Sequence, residues 1–183
     1  GEDDRTHALD AATLTRIESS VAEMSRDGMR VLAVAVKELP PERDVYTLAD
    51  EADLTLMGYV AFLDPPKESA REAVLALNRG GVEVKVFTGD NELVTNKVCR
   101  EVGLAVRAVY TGPELENLSD IELAEAAETG TIFARLSPLQ KEQLVLALRG
   151  RGHVVGFLGD GINDTAALHA ADVGISVDTA VDI

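Results

Sequence analysis

The chain has little cysteine and few cations, and both shortages exclude classes of protein. Cys99 is the only cysteine among 183 residues, so a disulfide framework and a thiolate metal cage are excluded. Lys and Arg number 17 against 32 Asp and Glu, and the net charge of −15 argues against binding to nucleic acid or to an anionic membrane surface. An acidic protein can still bind phosphate when a divalent cation accompanies it.

Long apolar runs are also absent from the sequence. The longest, such as VLAVAV at Val31–Val36, are far shorter than the roughly 20 residues that cross a bilayer. Because the chain opens with the acidic stretch GEDD, we expect no secretory or transit segment and a cytoplasmic location. Hydrophobic residues make up 46% and charged residues 27%, which is typical of a globular, soluble protein. A length of 183 residues suits one domain, or one domain and part of another.

The pattern of the chain changes near residue 50. Before that point, periodicity predicts an amphipathic helix at 13–26 and a buried strand at RVLAVAV. Polar, proline-bearing residues 37–53 then lead into a strict alternation of strands and helices, which predicts a parallel sheet with helices on both faces. We therefore expect two parts, residues 1–50 and residues 51–183, the second a Rossmann-like α/β domain.

Polar clusters follow several of the predicted strands. Ligand sites in parallel sheets form at the carboxyl ends of the strands, where the sequence places Asp64 after YVAFL, Thr88–Asp90 after VEVKVF, and Asp160–Asp164 after HVVGFLG. Lys141 stands apart, in the first turn of a helix predicted to begin at the capping box in SPLQKEQ. These clusters are the candidates for chemistry.

Two of the candidates have an ordinary explanation that is favoured when each is taken alone. Gly89 permits close approach of a phosphate and the Thr88 hydroxyl can donate to it, but a plain turn in which Asp90 or Asn91 caps a helix explains the same residues. Lys141 can neutralise a phosphate, or it can be a solvated lysine on a helix face.

The stretch GDGIND is more specific. Asp160 and Asp164 lie on a glycine-bent turn at a strand end and offer the oxygen ligands that Mg²⁺ prefers. The alternative is that Asp164 caps a helix while Asp160 is solvated. We favour the metal site, because two close carboxylates repel each other and are costly to hold without a cation.

The order of these motifs resembles the haloacid dehalogenase superfamily and, more narrowly, the phosphorylation domain of P-type ATPases. The motifs that carry this resemblance, in the family's order and approximate spacing, are FLDPPK, FTGDN, FARLSPLQKEQ and GDGINDTAAL. Longer segments are similar to the bacterial magnesium-transporting branch: GYVAFLDPPKES, VCREVGL, GHVVGFLGDGIND and AADVGISVDTAVDI. The resemblance implies a haloacid-dehalogenase-like phosphorylation domain at 51–183 and, at 1–50, a C-terminal remnant of the nucleotide-binding domain with its linker.

The resemblance also implies roles at a phosphoryl site. Thr88 and Gly89 would bind the transferring phosphoryl group. Lys141 would neutralise its charge, and Asn163 would help to hold its oxygens. These four residues are the implied catalytic set.

Metal and nucleotide contacts are implied in the same way. Asp160 would ligate Mg²⁺, with Asp164 as a second ligand or as a partner of the ligands. Arg135 would reach the ribose of ATP, together with Asp90. Arg30 resembles an arginine that touches the phosphates of ATP, although a surface arginine entering a strand explains it equally well.

One expected segment does not occur. P-type ATPases carry the phosphorylated aspartate in an Asp-Lys-Thr-Gly-Thr segment, and this sequence contains neither that segment nor a close variant. Asp64 follows an apolar strand as a nucleophile does, but Pro65 and Pro66 lack the N–H groups that cradle phosphate, so we assign Asp64 a supporting role. Since the strand of the nucleophile is absent too, we expect an exposed sheet edge or a swapped strand pairing.

We therefore interpret the chain as a cytoplasmic fragment, inactive alone, of a magnesium-transporting P-type ATPase of the bacterial inner membrane. Its partners would be ATP, Mg²⁺ and the remainder of the ATPase chain, with the membrane reached only through transmembrane helices outside this sequence. Three alternatives remain open: a pump for calcium, protons or another cation, a non-catalytic module that binds Mg²⁺ or nucleotide, and a soluble phosphatase that uses Asp64.

Overall fold

A computed structural model describes residues 7–39, 45–159 and 162–176. The chain divides after Asp64 into two compact units, residues 1–64 and 65–183. None of the helices in the described ranges has the length and apolar character needed to span a membrane. The predicted α/β class, with parallel strands and covering helices, is confirmed.

The first unit consists of one long helix and an antiparallel strand pair. Helix α1 spans Ala11–Arg26. Strand β1 (Met29–Val36) pairs antiparallel with strand β2 (Thr55–Leu63), and a short 3₁₀ helix at Leu48–Glu51 lies between them in sequence. Strand β2 therefore belongs to the first compact unit, which extends to Asp64. The division into a nucleotide-domain remnant at 1–50 and a phosphorylation domain at 51–183 stays a prediction.

Two expectations about these strands are wrong. The sequence predicts β2 as a strand of the parallel sheet, but it pairs antiparallel with β1, so the argument that placed Asp64 at the carboxyl edge of that sheet fails. The sequence also predicts β1 as buried, yet Leu32 is 60% exposed. An apolar strand is stable when other parts of a protein cover it, so its composition predicts burial. The described part of the first unit contains too few helices and strands to cover β1.

The second unit contains parallel strands in two separate groups. Strand β3 (Val86–Phe87) and strand β4 (Val109–Thr111) flank the central strand β5 (Ile132–Ala134), in the order β3-β5-β4. Strand β6 (Gly156–Gly159) pairs with strand β7 (Val173–Ser176). The sheet is thus divided among the described residues, with β3 and β6 each at an edge.

Helices follow the strands in the predicted alternation. The capping boxes at Ser119 and Ser137 form as the sequence predicts, each with the residue three positions later, and Pro138 occupies the first turn of its helix. The helices of this unit are α2 (Glu68–Arg79), α3 (Glu92–Glu101), α4 (Gly112–Leu115), α5 (Asp120–Thr129), α6 (Pro138–Gly150) and α7 (Thr165–Ala170).

The core of the second unit surrounds strand β5, whose residues are fully buried. Phe133 packs in a cluster with Ala127 of α5 and Leu144 of α6. Ile132 points to the other face and packs in a cluster with Cys99 of α3. Helices therefore cover both faces, and the loops after the strands are left at the carboxyl edge, where a ligand site can form.

Candidate functional site

The turn after β3 is held tightly against the central strand. The Thr88 N–H donates to the carbonyl of Phe133 at 2.9 Å, and the Thr88 carbonyl accepts from the N–H of Leu136 at 2.9 Å. The Thr88 hydroxyl accepts from the N–H of Asp90 at 3.1 Å, which closes a turn around Gly89. Thr88 and Gly89 therefore stand at the carboxyl edge, in a loop that the protein itself keeps in place.

Part of this motif serves the helix that follows it. The Asn91 side chain accepts from the N–H of Leu93 at 2.8 Å and so caps α3. The ordinary explanation of FTGDN thus holds for Asn91. Thr88 and Gly89 have no capping role, because Asn91 supplies the cap.

Lys141 and Asp164 form a largely buried ion pair at this edge. The Lys141 ammonium donates to Oδ1 of Asp164 at 2.7 Å, and both side chains are 12% exposed. Lys141 lies in the opening turn of α6, after β5, whereas Asp164 ends the 3₁₀ turn after β6. The fold thus brings together two residues from separate motifs, and Lys141 is not the solvated lysine of the ordinary explanation.

The end of β6 is shaped to receive Asp164. A Cβ atom at Gly159 would lie 2.7 Å from Cβ and 2.8 Å from Oδ2 of Asp164, which is closer than real Cβ contacts allow. The Asp164 side chain makes no capping hydrogen bond to α7, so the alternative that it merely caps a helix is wrong. The glycine instead lets the carboxylate fold back against the strand end.

The structure says less about three other predicted site residues, Asn163, Asp160 and Arg30. Asn163 is exposed in the 3₁₀ turn Ile162–Asp164. Asp160 lies outside the described residues, so its predicted position beside Lys141 and Thr88 stays a prediction. Arg30 lies in β1 opposite Phe62, in the first unit, and its contact with ATP also stays a prediction.

The described residues include an oxygen ligand of the kind that binds Mg²⁺, but they do not form a complete metal site. Asp164 offers carboxylate oxygens at a strand end, which are ligands of the type Mg²⁺ prefers. Across residues 7–39, 45–159 and 162–176, no group of three or more His, Cys, Asp or Glu side chains is arranged to hold a metal. A cation here would need Asp160, water or substrate oxygens to complete its coordination.

Arg135 has a partner that the sequence analysis missed. Its Nε donates to Oε2 of Glu92 at 2.7 Å and its NH2 group donates to Oε1 at 2.9 Å. Its backbone N–H also donates to the carbonyl of Asp90 at 2.9 Å. Two features of the sequence indicate this pair. Glu92 directly follows the capping residue in FTGDNE, and Arg135 ends the neighbouring strand in TIFAR.

Comparison with known proteins gives a consistent set of matches. A family model described as a haloacid dehalogenase-like hydrolase matches residues 6–172. The chain is 55% identical over 175 residues to the "Magnesium-transporting ATPase, P-type 1" of Escherichia coli (strain K12), covering 96% of this chain and 20% of the relative. It is 48% identical over 184 residues to a protein of the same name from Salmonella typhimurium (strain LT2), covering 100% of this chain and 20% of that relative.

A more distant match is "Calcium-transporting ATPase 3, endoplasmic reticulum-type" of Arabidopsis thaliana. The identity is 37% over 175 residues, which covers 92% of this chain and 18% of the relative. The chain therefore spans about a fifth of the length of the curated relatives it matches.

Proposed function

The chain belongs to the haloacid dehalogenase-like hydrolase family, and from that premise we propose that it is part of the ATP-hydrolysing region of a magnesium-transporting P-type ATPase. The identity of 55% to the relative named for magnesium transport supports this branch. The observation that carries the proposal is the buried pair of Lys141 and Asp164, which places a cation and a carboxylate at the carboxyl edge of the sheet.

Each side chain at this edge has a distinct task in phosphoryl transfer. The Lys141 ammonium is a compact charge that neutralises the phosphoryl oxygens. Thr88 and Gly89 receive those oxygens through the hydroxyl and the backbone of a fixed turn, and Asn163 helps to hold them. Asp164, with Asp160, would hold Mg²⁺. When bound, Mg²⁺ supplies positive charge that screens the phosphoryl group.

The division of the sheet supports the place proposed for the phosphorylated aspartate. Strands β3 and β6 are edge strands of separate groups, yet the rings of Phe87 and Phe157 meet with centroids 6.2 Å apart. We propose that in the whole protein a further parallel strand lies between β3 and β6 and carries the aspartate of the Asp-Lys-Thr-Gly-Thr segment. That strand would bring its carboxylate to the edge where Lys141 and Asp164 meet.

The first unit fits a remnant of the nucleotide-binding domain. Its strands expose large apolar side chains, among them Leu32, Phe62 and Leu63 at 60%, 51% and 66%. An exposed apolar surface of this kind is costly in water. We propose that the remainder of the ATPase chain covers it, that Arg30 contacts ATP from this unit, and that both units face the cytoplasm beside the bacterial inner membrane.

Substitution of Lys141 in the whole transporter tests the proposal. Lys141→Ala should reduce phosphoenzyme formation from labelled ATP by about 100-fold, the loss typical when one group that stabilises transition-state charge is removed. Lys97→Ala is the matched control, because Lys97 forms only an exposed pair with Glu101, and it should keep the parent level.

A second variant separates chemistry from folding. Removing Lys141 leaves the Asp164 carboxylate buried without its partner, which can destabilise the protein by itself. Lys141→Arg keeps a cation beside Asp164, so we expect parental thermal stability with phosphoenzyme formation still impaired. Parental phosphoenzyme levels in a stable Lys141→Arg variant would contradict a requirement for the compact ammonium group and leave only a requirement for positive charge.

A pump for another cation is the second candidate, because the chain is also 37% identical to a relative named for calcium transport. Uptake of Mg²⁺ against Ca²⁺ by vesicles containing the whole protein decides between the two. The hypothesis of a soluble phosphatase that uses Asp64 as its nucleophile is not supported, since Asp64 follows an antiparallel strand and not a strand of the parallel sheet.

A further inference from the structure

The side-chain amide of Gln140 is buried and hydrogen-bonded at both of its ends. Its Oε1 accepts from the N–H of Ser137 at 2.9 Å, and its Nε2 donates to the carbonyl of Gly112 at 2.8 Å. The residue is 9% exposed. Ser137 caps α6 and Gly112 begins α4, so one side chain joins the starts of two helices that follow different strands.

The bond to Gly112 explains why position 140 carries glutamine. Glutamate closes a capping box equally well, because the box needs only an acceptor for the backbone N–H. The three other capping boxes in the described part of the chain close with acids, namely Asp50, Glu114 and Glu122. A carboxylate has no donor for a carbonyl oxygen, whereas an amide has two. Gln140 therefore serves a contact beyond the cap of its own helix.

The backbone around Gly112 is closely packed at this junction. A Cβ atom at Gly112 would lie 2.4 Å from the Arg135 carbonyl oxygen and 2.9 Å from Oε1 of Gln140, both shorter than real Cβ contacts. Arg135 has a φ of 53°, a left-handed conformation that persists in a residue with a side chain only when its surroundings impose it. The end of β4, the turn after β5 and the start of α6 therefore fix one another, since a close-packed interior transmits displacement.

Lys141 is the next residue of this helix after Gln140. Its backbone N–H donates to the carbonyl of Ser137 at 3.2 Å, within the turn that the amide of Gln140 closes. Its ammonium reaches Asp164, after β6, at 2.7 Å. Because lysine carries its charge on a flexible four-carbon stem, the ammonium has a defined position only if the backbone beneath it is held. Gln140 supplies that anchor.

We infer that Gln140 is a positioning residue for phosphoryl transfer: its bond to the Gly112 carbonyl holds the first turn of α6, and with it the Lys141 ammonium, at the carboxyl edge of the sheet. The inference rests on the proposed function, in which Lys141 neutralises the phosphoryl group. It gives a part in the reaction to the end of β4, which lies on the far side of β5 from the turn at Thr88.

Rapid-quench measurement of phosphoenzyme formation by the whole ATPase tests the inference. Gln140→Glu keeps the acceptor for Ser137 but replaces the donor to Gly112 with a second oxygen. We expect the rate constant at saturating ATP to fall by about 10- to 100-fold, the loss that a displacement of about 1 Å causes. KM for ATP should stay within about 2-fold, because the nucleotide itself does not contact Gln140.

A substitution on the other side of the junction should have the same effect. Gly112→Ala places a methyl group against the Arg135 carbonyl and the amide of Gln140, so it should lower the same rate constant from a different strand. Two variants serve as matched controls. Gln143→Glu adds the same charge at an exposed position of α6, and Gly150→Ala adds a methyl group to α6 where a Cβ atom meets nothing within 4 Å. Both should keep the parental rate constant.

The amplitude of the reaction separates positioning from folding. A variant that is only partly folded contains fewer active molecules, so its amplitude falls while the rate constant of the remaining molecules stays parental. A displaced Lys141 instead lowers the rate constant in molecules that still bind ATP. Gln140→Met, which has a similar length and no charge, is measured in place of Gln140→Glu if the buried carboxylate abolishes the amplitude.

The outcomes distinguish this inference from the proposed function. A parental rate constant in the Gln140 variant and in Gly112→Ala, whatever their amplitudes, would overturn the role of Gln140. The proposed function would then stand if Lys141→Ala still lost its phosphoenzyme in the same assay. Absence of a phosphoenzyme in the parent protein would overturn the proposed function and this inference together.

Discussion

Gly89 and Gly159 both follow the apolar residues of a strand, but their surroundings differ. A Cβ atom at Gly89 would lie 3.6 Å from the Leu136 carbonyl oxygen, an ordinary contact, whereas one at Gly159 would overlap the Asp164 side chain. Packing within the protein therefore requires glycine at 159 and does not require it at 89. A requirement for glycine at 89 would have to come from the close approach of a ligand.

This contrast predicts opposite results for two alanine substitutions. Gly159→Ala should lower the free energy of unfolding by about 1–3 kcal/mol, the usual effect of overpacking, whereas Gly89→Ala should stay within about 0.5 kcal/mol of the parent. Urea unfolding of the purified chain measures both values. In the whole ATPase, Gly89→Ala should nevertheless impair phosphoenzyme formation. Equal destabilisation by the two substitutions would refute the distinction.

At the scale of elements, an ion pair ties the β6–β7 group to the end of α6. The Asp172 carboxylate accepts from the N–H of Val155 at 2.9 Å and pairs with Arg149 at 2.9 Å. Arg149 also donates to the carbonyl of Ala170 at 2.7 Å, at the end of α7. The hydrogen bond from Val155, followed by the charge of Arg149, lowers the pKa of Asp172. The Asp172 carboxylate and Arg149 together therefore connect the residue before β6 with the ends of α6 and α7.

Neutralising this carboxylate should destabilise the chain in a pH-dependent way. Because the pKa of Asp172 is lower in the folded state, its contribution is present above the ordinary carboxyl pKa of about 3.9 and is lost as pH falls below it. Asp172→Asn should thus lower the urea midpoint at pH 7, and the difference from the parent should shrink toward pH 3. Glu116→Gln, an exposed acid, is the control. A difference that is the same at both pH values would contradict this explanation.

At the scale of the whole molecule, the two groups of parallel strands and the uncovered first unit have a common explanation. The buried hydrophobic core of the described residues lies between Val94 and Ala167, within the second unit. The first unit instead presents apolar strand residues to solvent, and the second has edge strands β3 and β6 that do not pair with each other in the described residues. Both features agree with a chain that spans about a fifth of its relatives.

The isolated chain should therefore have no ATPase activity. Since no Asp-Lys-Thr-Gly-Thr segment occurs in its sequence, we expect the purified 183-residue chain to neither hydrolyse ATP nor form an acid-stable phosphoenzyme. Incubation with γ-labelled ATP and Mg²⁺, followed by acid precipitation, measures this directly. Label on any aspartate of the chain, Asp64 included, would show that a nucleophile is present after all.

Much of the second unit could be predicted because its signals are local. The capping boxes at Ser119 and Ser137, the helix periodicity and the strand-helix alternation depend on residues within a few positions of one another, and all of them form as predicted. The order of motifs along the chain likewise needs no coordinates. The sequence by itself therefore determined the α/β class and the family, and it singled out Lys141 and Asp164 as candidates.

The pairings between distant residues were decided only by the tertiary structure. The antiparallel pairing of β2 with β1, the bond between Lys141 and Asp164, and the fork of Glu92 with Arg135 join residues that are 19 or more positions apart. An apolar strand has the same composition whether its neighbour is parallel or antiparallel, and a charged residue shows no partner in its own neighbourhood. Such contacts arise when helices and strands pack around β5, because packing, and not local preference, sets which side chains meet.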